Sequence, residues 1–421
     1  MTERLLQFIW QFQYFNRHDL IVNDGAVLQI LHPGKYNTNQ GPDFLEASIK
    51  IDNTTLVGNI ELHINTSDWH KHGHHTDRNY KNVILHVVWR HDDGPQPATV
   101  PLLDLEHRVS SLLLNQYEDW MQQSSFVPCA PAVTAVNELV WLAWRERLLA
   151  ERLQRKSNHV LLLLQRNQYH WEETCWQLLA KNFGMSVNAE AFENIACSLP
   201  VSLLAKHKHQ PIVLEALLMG QAGLLEGQFT EAYPKLLQRE YRFHQHKYKL
   251  AKPAVSVYSL RMRPAAFPGI RLAQLAILVH QSVHLFASIK ESSAVKQVMK
   301  QLNVTANDYW HYHYQLDTPA GYKIKKLGSS MVNNIVINTV APLLFAYGLY
   351  HKEQSMKEKA LQWLAQTAPE KNNITNGWQQ MGISNKDACH SQALIELKTQ
   401  YCDHKKCLDC AVGNALLKRS V

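Results

Sequence analysis

The chain has 421 residues, enough for two or three domains that each bury a core. Hydrophobic residues make up 46% and charged residues 19%, as in a globular protein, and no apolar run approaches the roughly 18 residues of a membrane span. The net charge of +7 and a pI near 8.9 suit an anionic partner such as nucleic acid without requiring one.

The first 110 residues predict mixed α and β structure. Glu3–Phe15 has helical spacing, with Leu5, Phe8, Ile9 and Phe12 on one face. Asn23-Asp24-Gly25 reads as a turn and Ala26–Leu31 as a strand. His32 through Pro42 is a Gly-, Pro- and Asn-rich loop. Phe44–Ile51 alternates Leu45, Ala47, Ile49 and Ile51 against Glu46, Ser48 and Lys50. Asp52-Asn53 is a hairpin signal, and Thr55–Ile64 returns as a strand. Asp68–Tyr80 is polar and partly helical, and Val83–Trp89 reads as a buried strand. From about residue 130 helical periods dominate. The expected helices are Val136–Gln154, His170–Phe183, Pro200–Lys206, Pro211–Gly220, Ala273–Ser288, Ala294–Leu302, Ser329–Tyr350 and Gln354–Gln366. The expected class is α+β, with an α/β domain over residues 1–128 and a helical domain over 129–421.

Residues 41–91 carry the densest set of metal-capable groups. Asp43 precedes one strand, and Glu61 lies on its hairpin partner. Side chains alternate along a strand, so Glu61 and His63 point to one face. Paired carboxylates with a nearby imidazole can hold a divalent cation, here Mg²⁺ or Mn²⁺, with His86 on the next strand as a further ligand. The competing reading is a solvated sheet edge. Seven of the 23 histidines fall between His63 and His91. Within that stretch His70, His72, His74 and His75 form a cluster that could join this site, bind zinc separately, or face solvent.

The helix–strand–strand–strand–helix–strand order resembles the core of the PD-(D/E)XK nuclease superfamily. Pro42-Asp43 matches its first motif, and Glu61-Leu62-His63 stands where its Glu-x-Lys should be. The resemblance implies Asp43 and Glu61 as metal ligands, His63 in place of the catalytic Lys, Glu3 as the helix carboxylate and Tyr80 as the remnant of a Gln-x-x-x-Tyr motif. The whole chain resembles a family of uncharacterised bacterial proteins, domain of unknown function 2851. That resemblance rests on Gly41-Pro42-Asp43-Phe44, Gly58–His63, Ser67-Asp68-Trp69, His86-Val87-Val88, Arg261–Pro264, Phe267-Pro268, Arg271–Gln274 and the terminal cysteines. It brings no activity with it.

Of the seven cysteines, four lie in the last 33 residues. The odd count in a large chain speaks against a disulfide framework. Cys402-x4-Cys407-x2-Cys410, with Cys389 upstream, could hold Zn²⁺ or a [4Fe–4S] cluster. Arg261, Arg263 and Arg271, grouped around prolines and Phe267, could contact phosphates. No phosphate-binding Gly loop, nucleophile elbow or dinucleotide fingerprint occurs.

These features lead to the expectation of a cytoplasmic, metal-dependent nucleic-acid hydrolase acting on DNA or RNA, or a degenerate relative of one. The alternatives are a non-catalytic nucleic-acid- or protein-binding module with a structural metal, and a metal-dependent hydrolase of small molecules.

Overall fold

The computed structural model describes residues 1–92, 94–95, 100–251, 257–260, 262–282 and 284–420. The chain is mixed α+β and divides into two compact units. Residues 1–144 together with 397–421 form the first, and residues 145–396 the second. This differs from a division at 128/129, because residues 129–144 and the C-terminal segment both belong to the first unit.

In the first unit, α1 (Glu3–Phe12) starts where the Thr2 hydroxyl accepts the Leu5 N–H at 3.2 Å. It ends where Gln13 turns left-handed, earlier than Phe15. Leu5, Leu6, Phe8, Ile9 and Trp10 are buried, while Phe12 is exposed. Five strands follow: β1 (Leu28–His32), the short β2 (Lys35–Tyr36), β3 (Phe44–Ile51), β4 (Thr54–Asn65) and β5 (Val83–Arg90). A last strand, β6 (Leu102–Asp104), was not expected from the sequence. The order is β1-β3-β4-β5-β6, with β2 also on β3. Pairing is antiparallel from β1 to β4 and parallel from β4 to β6. A parallel partner for β4 needs a crossover, and residues 66–82 supply it with α2 (Asp68–Lys71) and a 3₁₀ turn at Arg78–Tyr80.

Two backbone features aim the site residues. Gly41 sits at φ +108°, a conformation that favours glycine, and delivers Pro42 and Asp43 to the start of β3. Asn37 holds this loop by donating its side chain to Pro42 O (2.9 Å) and its N–H to Asp43 O (2.8 Å). Between Phe44 and Ala47 the β3–β4 register shifts, and Glu46 takes φ 58°. This bulge buries both Phe44 and Ala47 and leaves Leu45 half-buried, so simple alternation from Leu45 fails there.

The second unit is mainly helical, with a short antiparallel strand pair, His313–Gln315 with Thr318–Pro319. Most of α4 (Glu138–Arg166; α3 is Ser111–Gln122) lies in it, followed by α5 (Trp171–Phe183), α6 (Met185–Ser198), α7 (Val201–Lys206), α8 (Pro211–Gln221) and α9 (Ala232–Tyr248). The expected Ala273–Ser288 helix is instead α10 (Pro268–Gln281) and a separate helix, Leu285–Glu291. Pro268 begins α10 because its missing N–H costs nothing in a first turn. Ser329–Tyr350 runs as one continuous helix with a π turn at Val336–Val340. It is long and apolar enough to cross a membrane, which corrects the expectation of no such run, and two thirds of its most apolar stretch is buried. Core helices meet the same test. The asparagines at 333, 334 and 338 hide its apolar character in the sequence.

Helix α8 is buried from Val213 to Gln221. A Cβ on Gly220 would lie 2.1 Å from the ring of Tyr241 on α9. Gly220→Ala is therefore expected to destabilise the fold by about 1–3 kcal/mol, through overpacking at a helix–helix contact. A thermal melt checks it, and an unchanged midpoint would show that α9 yields freely.

Candidate metal-binding site

Asp43 and Glu61 meet across the β3–β4 pair. The Asp43 N–H donates to Glu61 Oε2 at 3.0 Å. The Asp43 carboxylate accepts from the Leu62 N–H at 3.1 Å and from Gln7 Nε2 at 2.8 Å. Gln7 lies one turn beyond Glu3 on α1 and is held in turn by the Tyr36 hydroxyl, which donates to its Oε1 at 3.2 Å. Glu61 is only 5% exposed.

Three imidazoles converge on the same place. His63 follows Glu61 by two residues and is fully buried, with Nε2 3.6 Å from Glu61 Oε1. His74, on the crossover, brings Nε2 to 3.3 Å from that same oxygen, without the alignment of a hydrogen bond. His72 brings Nδ1 to 3.2 Å from His63 Nε2. Donor atoms of His63, His72 and His74 all lie within 4.8 Å of one another. His70 and His75 stack on each other at 4.7 Å instead, and His70 bonds Pro95 O.

His86 stands behind His63 rather than beside it. Its Nε2 is 2.8 Å from His63 Nδ1. For His63 Nε2 to face a cation, the proton must sit on Nδ1 and be donated to His86, which fixes the His63 ring and tautomer. The structure thus gives His86 an orienting position in place of the ligand position expected from sequence. Trp69 closes the cluster, with its ring 5.0 Å from that of His86 and 5.6 Å from that of His74.

The electrostatics suit a cation. Burial, then the charge of Glu61, pushes the Asp43 carboxyl far above the usual carboxylate range, against the Leu62 N–H. Burial raises Glu61 likewise. Two carboxyls in a dry pocket cannot both ionise cheaply without a counter-charge. Burial and the neighbouring imidazoles push His63 down to about 2, so it stays neutral, the form that ligates a metal. His86 is lowered to about 4, mainly by burial. Glu3 is exposed, and its charge acts on Asp43, Glu61, His74 and Tyr80. The Tyr80 ring stacks on His74 at 3.8 Å, and burial raises its hydroxyl to about 12.

Asp43, Glu61, His63, Glu3 and Tyr80 are thus brought together. Gln7 was missed, although its spacing of four from Glu3 places both on one helical face. The three imidazole nitrogens, with a Glu61 oxygen against His63 and His74, suit Zn²⁺, Fe²⁺, Ni²⁺ or Mn²⁺ more than Mg²⁺. Arg261 lies outside the described residues, and Arg263 is exposed. Arg271 is buried in α10, its guanidinium donating to Gln274 Oε1 at 3.0 Å, so it is not offered to a phosphate. Cys402, Cys407 and Cys410 belong to the first unit. Cys389 belongs to the second, with its thiol on Leu361 O at 3.8 Å, and does not join them in one unit.

No curated protein matches the chain, and no solved structure does. Residues 3–373, which include the whole carboxylate–histidine site, match the family described as "Protein of unknown function (DUF2851)". The terminal cysteines lie beyond that match, and the chain belongs to the DUF2851 family.

Proposed function

We propose that the protein is a metal-dependent phosphodiesterase of nuclease type. The observation that carries this reading is the Asp43–Glu61 pair, two buried carboxylates linked across one hairpin beside three convergent imidazoles. The strand order supports it. A helix, three antiparallel strands, a helical crossover and a parallel strand follow in the sequence of the PD-(D/E)XK core, with Asp43 opening the second long strand and Glu61 on the third.

Glu61, His63, His72 and His74 would hold the ion, with Asp43 adjacent. A divalent ion there would supply Lewis acidity toward a phosphoryl oxygen and lower the pKa of a bound water. His63 stays neutral and fixed by His86. Asp43 is held between Gln7 and the Leu62 N–H, placed to orient water. Tyr80 stays protonated and can donate to an anionic oxygen. The basic net charge suits DNA or RNA as the substrate class.

The test is cleavage of single- and double-stranded DNA and RNA with Mn²⁺, Mg²⁺ or Zn²⁺. Asp43→Asn and Glu61→Gln are each expected to lower the rate by about 10³-fold, the scale of losing one element of transition-state charge stabilisation. If both variants cut as fast as the parent, the site assignment is wrong. The nitrogen-rich donor set also favours a second reading, a zinc hydrolase of small esters. Zinc-dependent turnover of carboxylic esters, with no phosphodiester cleavage, would select it.

A further inference from the structure

Four cysteines converge in the first unit, and one of them was not anticipated. Cys402 ends a π turn at Leu397–Cys402, Cys407 opens a 3₁₀ turn, and Cys410 directly follows that turn. The fourth is Cys129, which caps the 3₁₀ helix Ala130–Ala135, far away in the sequence. All four are free thiols. Cys129, Cys407 and Cys410 are buried, and Cys402 is half-buried. The helix Ala411–Leu417, which Cys410 caps, packs on both the 3₁₀ helix that Cys129 caps and the turn that Cys407 opens, and that turn packs on the π turn that ends at Cys402.

The surroundings are built for sulfur that carries charge. The N–H groups of Gly413 and Val412 donate to the Cys410 sulfur. Such N–H···S bonds stabilise ligating thiolates. Lys398 faces Cys402 and Lys405 faces Cys407, both with favourable charge. A Cβ on Gly413 would lie 2.2 Å from Cys407 O, so only glycine lets this turn close.

The spacing separates two metal chemistries. A single zinc with Zn–S bonds of about 2.3 Å draws its four sulfurs to within about 3.8 Å of each other. Among the described residues, the trio of donors that lie within 4.8 Å of one another is the histidine set, not any three of these cysteines. A cubane cluster places each sulfur on a different iron and so holds the sulfurs farther apart. We propose that Cys129, Cys402, Cys407 and Cys410 ligate a [4Fe–4S] cluster.

Its role would be to fasten the returning C-terminal segment to the first unit. That segment in turn grips α1, for Arg4 pairs with Asp409 and the Tyr14 hydroxyl donates to Asn414 Oδ1 at 2.6 Å. Helix α1 carries Glu3 and Gln7, so the cluster would steady the helix that holds Asp43 in place.

The test uses the full-length chain purified without oxygen, with iron, zinc and acid-labile sulfide measured beside the visible spectrum. About four irons and four sulfides per chain with a broad visible band are expected. Cys129→Ala and Cys410→Ala should each lose iron and band, while Cys389→Ala keeps both. One zinc per chain with no sulfide in the parent would overturn the proposal, whether or not the variants fold. So would iron that survives Cys129→Ala and is lost in Cys389→Ala.

Discussion

Glu61→Gln is expected to make the metal-free protein more stable at pH 8, by about 1–3 kcal/mol, and to abolish its stabilisation by Mn²⁺ or Zn²⁺. Asp43 and Glu61 are each raised to about 8 by burial, Asp43 also by its neighbour. Unfolded, both would titrate near 4. A carboxyl with a raised folded pKa contributes stability that is fully present below its unfolded pKa. That contribution is lost as pH climbs through the folded value. The metal-free parent should therefore weaken between about pH 4 and pH 8. The Gln variant keeps the shape of the side chain without the charge and should weaken less. At pH 4 the two proteins should converge. A divalent ion reverses the order, because it binds the folded parent and adds about 2.7 kcal/mol at a hundredfold excess over Kd. Thermal melts in chelator and in metal, across this pH range, measure both effects. A Gln variant less stable than the parent at pH 8 in chelator would mean that the carboxylates are not held in opposition.

Glu215→Leu is expected to cost about 3–5 kcal/mol, the largest stability loss foreseen for a single substitution in the second unit. Glu215 lies on α8 and is 1% exposed. It accepts from the Tyr233 hydroxyl at 2.9 Å, Trp310 Nε1 at 2.7 Å and Asn307 Nδ2 at 2.5 Å. Leucine would fill the space and leave the buried Trp310 N–H and the Tyr233 hydroxyl without their acceptor, while Asn307 would keep only its bond to the Tyr233 oxygen. Burial outweighs these donors and raises Glu215 to about 7, so the parent itself should lose some stability as pH rises through 7. The midpoint of urea unfolding at pH 6 tests the substitution, and a shift worth less than about 1 kcal/mol would show that water or a rearrangement replaces the carboxylate.

Much of the first unit was legible in local pattern. The bounds of β3 were read directly, and the Asp52-Asn53 turn predicted its hairpin with β4. Period-two alternation placed Glu61 and His63 on one face, and both meet at one site. Helix ends were less legible where one left-handed residue decides them, as at Gln13. In the second unit α6 and α9 escaped notice, and the break after Gln281 divided one expected helix into two.

Local pattern was enough for the α+β character, the hairpin that joins Asp43 to Glu61, and membership of the DUF2851 family. These follow from periods of two or a few residues and from short motifs, which need no knowledge of distant partners. Only the tertiary structure selected His72 and His74 from four clustered histidines, set His86 behind His63, and buried Arg271. It also placed Cys129 in the unit of Cys402, Cys407 and Cys410, and Cys389 in the other. Such choices depend on which surfaces lose water together when the chain closes on itself. Contacts across more than 250 residues leave no trace in local spacing.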